Sequence, residues 1–281
     1  VARNLLRENL FGSHPYGLRN LGSSDSVAGI KPEQLREFHN TYACARDGVI
    51  SVFGDVKAEE VKALFEKYFS EMPEGKLAFE NVDRPAVPAG IPPASAYLDK
   101  KQAVLMIGYQ GASSKDPDRI ALELISVASS DLGSRFFNRI REKMGLAYFV
   151  GATQFCGLAP GAFLFYLGTD PQKVAPVTDE MRSEIADLAK GGLTQEELTR
   201  ARAKLIGGEA IRNQSNSAFA AACAVDELMG LGFDSYKRRK EDIEKVSLDD
   251  TRRVAAKFFS SENAVEATVL PPEKNQPTEN K

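Results

Sequence analysis

The feature that most restricts the fold of this chain is a proline-rich stretch between residues 71 and 95. It contains prolines at positions 73, 85, 88, 92 and 93 and shows little periodic pattern. Because proline lacks a backbone N–H and fixes its own φ angle, such a stretch can continue neither a helix nor a central strand. The sequence therefore predicts an extended linker over residues 73–94, with a domain on either side of it.

Helix and strand patterns fill the chain on both sides of this linker. Before it, apolar residues at helical spacing predict helices at 31–42 and 57–71, around an apolar run at 48–56 that predicts a buried strand. After it, the patterns predict strands at 96–99, 102–109, 149–155, 162–169 and 264–270, and helices at 116–130, 174–190 and 246–259. A capping box at residues 194–197 predicts the start of one more helix.

The predicted helix and strand at residues 30–53 resemble those at residues 246–269. The two segments align without a gap at an offset of 216 residues (246 − 30). The match is in apolar period and in one arginine, with Arg36 opposite Arg252. A repeat of this length indicates a duplicated domain, because solenoid repeats run to roughly 20–50 residues. We therefore expect residues 95–272 to form a complete unit and residues 1–72 to be the closing part of an earlier, incomplete unit. The polar residues 273–281 are predicted to be a disordered tail.

Composition and charge exclude several classes of function. A net charge of −3 and a pI near 5.7 argue against a nucleic acid or an anionic membrane as the main partner. No apolar run approaches the roughly 18 residues that a membrane span needs, and no signal peptide or compartment is indicated. Three scattered cysteines form no disulfide framework or metal motif, so we expect them to be small buried side chains.

Residues 136–150 form the segment with the most suggestive chemistry. Phe137, Ile140 and Met144 recur at helical spacing and are predicted to face a core. Gly145 supplies the left-handed position at which helices commonly end, and an apolar run with strand character follows it.

This geometry leaves Arg141 in the last helical turn and Tyr148 just beyond the glycine. The two side chains can therefore point into one space and act on one ligand. The alternative is structural: Arg141 then serves as an exposed cation at a helix end, and Tyr148 as a half-buried aromatic side chain of a strand.

The two histidines give no metal motif. His14 and His39 are separated by 25 positions, and neither belongs to an H-x-x-E-H sequence. Pro15 disfavours a helical conformation for His14, and His39 has no partner three or four positions away on its predicted helix. Both are interpreted as structural or solvated histidines.

Five segments, in this order, resemble the inverted-motif zinc peptidases, the family of pitrilysin, insulin-degrading enzyme and the mitochondrial processing peptidase. They are 13–17 (SHPYG), the helix and strand at 33–55 that end in FGDV at 53–56, 141–148 (REKMGLAY), 161–169 (GAFLFYLGT) and 193–198 (LTQEEL). The resemblance implies an α+β fold, with mainly antiparallel sheets and packed helices in two homologous domains that close like a clamshell on a peptide. This chain would be the half without the zinc motif.

The resemblance also implies roles for the two candidate residues. Arg141 and Tyr148 match the arginine and tyrosine that the second domain presents to the substrate near the metal. A zinc-bound water that attacks a peptide carbonyl creates negative charge on oxygen, and a guanidinium and a phenol stabilise that charge. The chain would then be the substrate-clamping portion of a zinc metallopeptidase. It would be inactive alone, with zinc only in the missing N-terminal half or in a partner.

The alternative within the same family is a non-catalytic structural or regulatory subunit. In either case we expect peptide or unfolded polypeptide as substrate, a zinc-bearing half or subunit as partner, and self-association through the faces that an incomplete first unit leaves uncovered. A complete set of catalytic residues is not present in this sequence, and whether it belongs to an active enzyme stays open.

The absence of H-x-x-E-H leads to a direct expectation about metal content. After dialysis against zinc, the purified chain should retain far less than one zinc ion per molecule by atomic absorption, because structural zinc sites need about four ligands. Stoichiometric zinc that resists dialysis would show that the chain contains ligands this interpretation misplaces.

Overall fold

A computed structural model describes residues 1–76 and 82–272, so the predicted tail at 273–281 and part of the predicted linker lie outside the described residues. The helices are α1 (Ala2–Phe11), α2 (Ser24–Ala28), α3 (Pro32–Tyr42), α4 (Ala58–Phe69), α5 (Arg119–Ser129), α6 (Val174–Gly191), α7 (Gln195–Arg212), α8 (Asn216–Leu228), α9 (Tyr236–Lys245) and α10 (Leu248–Phe258). The strands are β1 (Ala94–Tyr97), β2 (Ala103–Gln110), β3 (Phe149–Phe155), β4 (Ala162–Thr169) and β5 (Val265–Leu270). Among the described residues, none of the helices combines the length and apolar character that crossing a membrane requires.

The chain groups into two compact units. Of the described residues, unit 1 comprises 1–19, 83–206 and 241–272, and unit 2 comprises 20–76, 82 and 207–240. These units are defined by contacts between residues, whereas the predicted division into 1–72, 73–94 and 95–272 comes from the internal repeat and the proline-rich stretch. The domain boundaries therefore stay a prediction.

Unit 1 is built on a five-stranded sheet in the order β1-β5-β2-β4-β3. The β1–β5 pair is parallel and the other three pairs are antiparallel. The β3–β4 hairpin is the one that the sequence predicts, in the register Phe149 opposite Gly168. The predicted fold class, α+β with a mainly antiparallel sheet and packed helices, is confirmed.

Both faces of this sheet are buried. On one face, Leu105, Ile107 and Phe165 pack with α5, α6 and α10 in the larger core of unit 1. On the other face, Leu6 of α1 packs against side chains of β4 and β5 in a smaller core. Gly108 of β2 permits this approach, because a Cβ atom there would lie 2.7 Å from Leu6 Cδ2.

Unit 2 has hardly any interior. Among its described residues, only Cys44 and Cys223 are buried. Aromatic contacts hold parts of it together: the rings of Phe53 and Phe219 are 4.7 Å apart, and those of Phe219 and Tyr236 are 4.8 Å apart. Since folding stability comes mainly from apolar burial, unit 2 contributes little stability of its own.

The prediction of a buried strand at 48–56 is wrong in this structure. The described residues of the segment form no ladder, and side chains such as Ile50 and Val52 are exposed. An apolar run indicates a tendency to be buried, but a strand also needs a hydrogen-bonded neighbour. All five described strands belong to unit 1, so unit 2 offers this segment no partner.

Candidate functional site

The candidate site begins with an unusual helical segment, Phe137–Lys143, which has π-helical geometry. The N–H of Met144 donates to the carbonyl of Arg139 at 3.1 Å, a bond that spans five residues where an α-helix spans four. This wider winding buries Phe136 and Ile140 in the core of unit 1. Phe137 is only partly buried and Met144 is 45% exposed, so the predicted core face is correct for Ile140 and wrong for the other two.

The turn after this segment is fixed from several directions. Gly145 has φ = 61°, the left-handed conformation that the sequence predicts for a helix end. The N–H of Leu146 donates to the carbonyl of Ile140 at 2.9 Å, and the hydroxyl of Thr169 donates to the carbonyl of Leu146. Lys173 Nζ donates to the carbonyl of Gly145 at 3.1 Å. These bonds hold the turn against the end of β4 and the residues that follow it.

Arg135 anchors the start of the segment through an ion pair with Glu197. Its Nε and Nη2 atoms contact the two carboxylate oxygens at 2.9 and 2.5 Å, and Nη2 also donates to the carbonyl of Gly192 at 3.0 Å. Burial alone raises the pKa of Glu197, but the paired guanidinium and the N–H of Thr194 outweigh burial and keep that pKa below its usual value. Glu197 is therefore ionised at neutral pH, and the ion pair is intact.

Arg139 anchors the middle of the segment to α6. Its guanidinium pairs with Glu180 and, at 3.1 Å, with Glu184. Burial raises the pKa of Glu184, against the lowering effect of the nearby guanidinium groups of Arg139 and Arg135. Arg135 and Arg139 are thus both committed to holding the segment in place.

Arg141 is different from the two arginines before it. Its side chain is exposed, and the guanidinium lies over the ring of Phe137, 4.7 Å from the ring centroid. Among the residues that the structure describes, no carboxylate pairs with it. The fold stacks this cation on an aromatic ring and leaves its five N–H donors available.

Tyr148 lies between the turn and β3, and its side chain is 52% exposed. Its backbone N–H donates to the carbonyl of Gly168 at 2.8 Å, which fixes the backbone, while its hydroxyl makes no hydrogen bond with the described residues. Arg141 and Tyr148 belong to the same anchored turn of unit 1, but among the described residues no hydrogen bond or cation–π contact joins their side chains. Their joint role in substrate binding stays a prediction.

The histidines are placed as structural side chains. His14 is buried, its Nδ1 accepts the N–H of Tyr16 at 3.1 Å, and its Nε2 lies 2.9 Å from the carbonyl oxygen of Asp83. His39 is exposed on α3. Within residues 1–76 and 82–272, no three His, Cys, Asp or Glu side chains are grouped so as to hold a metal ion. The described residues therefore provide no set of donors for a zinc ion.

Two supporting residues, Arg135 and Phe137, are not evident from the sequence. The capping box at 194–197 is evident from the sequence, and it forms as predicted. The N–H of Glu197 donates to Thr194 Oγ1 at 3.2 Å. A capping carboxylate that is also buried needs a cation as its partner. That need could have pointed to an arginine such as Arg135 as the partner of Glu197. Phe137 gives no comparable signal, because its ring position depends on the π-helical winding.

Comparison with known proteins gives consistent results. Residues 29–205 match the family described as peptidase M16 inactive domain. An uncharacterized zinc protease of Rickettsia bellii is 27% identical over 201 residues, 70% of this chain and 47% of that protein. One from Bacillus subtilis is 23% identical over 280 residues, 99% of this chain and 67% of that protein.

Solved structures show the same fold. The peptidase M16 inactive domain from Pseudomonas fluorescens has a TM-score of 0.86 at 24% identity, covering 98% of this chain and 66% of that one. A protease from Helicobacter pylori has a TM-score of 0.82 at 19% identity, covering 95% and 65%. The chain spans roughly half to two thirds of the length of these relatives.

The π-helical winding predicts which side chains of the segment support the fold. Ile140→Ala should lower the free energy of unfolding by about 2–5 kcal/mol, because it leaves a cavity in the core. Met144→Ala should cost less, about 0.5 kcal/mol, because nearly half of Met144 is already exposed. Urea unfolding followed by circular dichroism measures both, and equal costs for the two variants would contradict the π-helical register.

Proposed function

The chain belongs to the family of peptidase M16 inactive domains, and from that premise we propose that it is the substrate-clamping portion of a zinc metallopeptidase. Peptide-bond hydrolysis would then require a zinc-bearing half, supplied either by the same protein or by a partner. The relatives carry the name zinc protease and are longer than this chain, which agrees with a second part that bears the metal.

The observation that carries this proposal is the contrast among the three arginines of one segment. Arg135 and Arg139 form ion pairs with carboxylates of the fold. Arg141 is exposed and has no carboxylate partner among the described residues. A cation that the fold anchors by its backbone and leaves unpaired is available to a ligand. Tyr148, with an exposed hydroxyl on the same turn, offers a second donor.

The chemistry of peptide hydrolysis uses both donors. As water adds to the scissile carbonyl, its oxygen gains negative charge, and a phenol and a guanidinium placed there stabilise the transition state more than the substrate. The planar fork of arginine also suits a backbone carbonyl of the bound peptide. Arg141 is thus assigned to peptide binding and charge stabilisation, and Tyr148 to charge stabilisation.

A non-catalytic structural or regulatory subunit is the second candidate. It is favoured by the description of the matching family as an inactive domain. The sequence of the complete parent protein distinguishes the two candidates, because a parent without H-x-x-E-H that also pairs with no zinc-bearing subunit excludes the first.

The clamp proposal predicts a kinetic defect for each donor. With a zinc-bearing half added, Tyr148→Phe should lower kcat for a fluorogenic peptide by about 10²–10³, and Arg141→Ala should lower kcat/KM by a similar factor. Matched controls are Tyr97→Phe and Arg3→Ala, which remove an exposed hydroxyl and an exposed guanidinium elsewhere in unit 1. Wild-type rates in both site variants would rule out this assignment.

The exposed apolar surface of unit 2 supports a second part of the proposal, association with a partner or with another copy. Its large apolar side chains that are at least half exposed include Leu35, Phe38, Ile50, Val52, Leu64 and Tyr68. A groove of about 640 Å³ between the 50–56 segment and α4 adds to this surface. Apolar area of this extent normally marks an interface.

Association should therefore depend on these side chains. In sedimentation velocity at micromolar concentrations, the purified chain should form species larger than a monomer. Phe38→Asp combined with Leu64→Asp should shift the distribution toward monomer, since a charge is costly to bury in an interface. Lys31→Asp, at the exposed residue that precedes α3, is the control for added negative charge. A wild-type chain that sediments only as a monomer would contradict this part of the proposal.

A further inference from the structure

A cavity of about 500 Å³ opens in unit 1 between the sheet and two of its helices, α6 and the end of α10. Ile107 and Tyr109 of β2 form its floor. Alanines 186 and 189 of α6 and alanine 256 of α10 line its sides, and these small side chains are what leave the space open. The cavity has the size of an ordinary small-molecule site, and its walls are mainly apolar.

One hydroxyl in this cavity has no partner within the fold. Tyr109 is 3% exposed, and its ring is packed edge-on against Phe165 and Phe259. Its hydroxyl makes no hydrogen bond with any residue that the structure describes. The ring of Tyr109 is buried, whereas its hydroxyl oxygen keeps access to the cavity and can donate to a ligand there. Burial, and after it the charge of Glu266, raise the pKa of Tyr109, which keeps its hydroxyl a donor at neutral pH.

Three charged side chains line the cavity, and two of them pair with each other. Glu266 pairs with Arg182, whose Nε and Nη2 atoms contact the two carboxylate oxygens at 2.7 and 2.8 Å, and Arg182 Nη1 also contacts Asp179 at 3.2 Å. Lys190, two helical turns further along α6, lines the same cavity and forms no ion pair with the described residues. Lys190 is therefore the charged side chain of this lining without an ion-pair partner among the described residues, and the Tyr109 hydroxyl lines the same cavity.

We propose that this cavity binds an amphipathic carboxylate, with its apolar body between α6 and the sheet and its carboxylate held by the Tyr109 hydroxyl and the Lys190 ammonium. The site is separate from Arg141 and Tyr148, neither of which lines it. The same chemistry is offered by a medium-chain carboxylic acid and by the C-terminus of a peptide that ends in an apolar residue. The site does not depend on the peptidase proposal.

The binding test uses octanoate and the whole chain in isothermal titration calorimetry. Wild type should bind octanoate with one site, and octanol, which has no charge, should bind at least about fivefold more weakly. Tyr109→Phe should weaken octanoate binding by about tenfold or more, since it removes a hydrogen bond to a charged group. Lys190→Gln should weaken it by about two- to fivefold.

Controls separate this cavity from the exposed apolar surface of unit 2. Ala186→Leu fills the cavity from an exposed helical position and should abolish binding, whereas Ala221→Leu makes the same change on exposed α8 and should not. Tyr97→Phe likewise leaves binding unchanged. Equal affinity of wild type, Tyr109→Phe and Ala186→Leu would overturn the proposal, as would the absence of binding by every probe.

A competition arm identifies the source of the carboxylate. Alanyl-alanyl-phenylalanine with a free carboxylate, but not its amide, should displace octanoate if peptide termini are bound. Displacement by neither peptide, with octanoate binding retained, assigns the cavity to free carboxylic acids. Equal displacement by the acid and the amide would overturn the carboxylate assignment.

Discussion

The burial of β2 on both faces is the constraint on which unit 1 depends. Its neighbours β4 and β5 are set in register by this strand, and alternate side chains enter two different cores. Glycine at position 108 lets α1 approach closely on one face, while Ile107 and Tyr109 on the other meet the larger helical layer. Because both faces are filled, unit 1 is a rigid support for the turn that presents Arg141 and Tyr148.

The turn is held in place by side chains that are buried or ion-paired within the fold. Ile140 seats the π-helical segment in the core, and the two arginines before Arg141 are paired with carboxylates on α6 and α7. A charge-stabilising donor acts well only when its position is fixed before the reaction, because the reorganisation cost is then already met by folding. In the proposed function, the anchoring contacts would fix the positions from which Arg141 and Tyr148 act.

Much of unit 1 could be predicted from local sequence signals. The β3–β4 hairpin, the end of its preceding helical segment at Gly145 and the capping box of Thr194 with Glu197 all rest on residues close together in sequence. The π-helical winding could not be predicted, since it is selected by Phe136 and Ile140 meeting a core assembled from distant strands. The expected strand at 48–56 failed for a related reason: a ladder depends on a partner, and an apolar run alone does not reveal whether one is present.

The two units divide structural roles in a way that bears on assembly. Unit 1 contains its own core and both candidate ligand-binding features, whereas unit 2 exposes the apolar side chains that a core would bury. A partner that covers unit 2 would bind its ordered form and not its unfolded form, so the binding free energy would add to the stability of that unit. Assembly and the folding of unit 2 are then linked, while unit 1 and its turn are already ordered before a partner arrives.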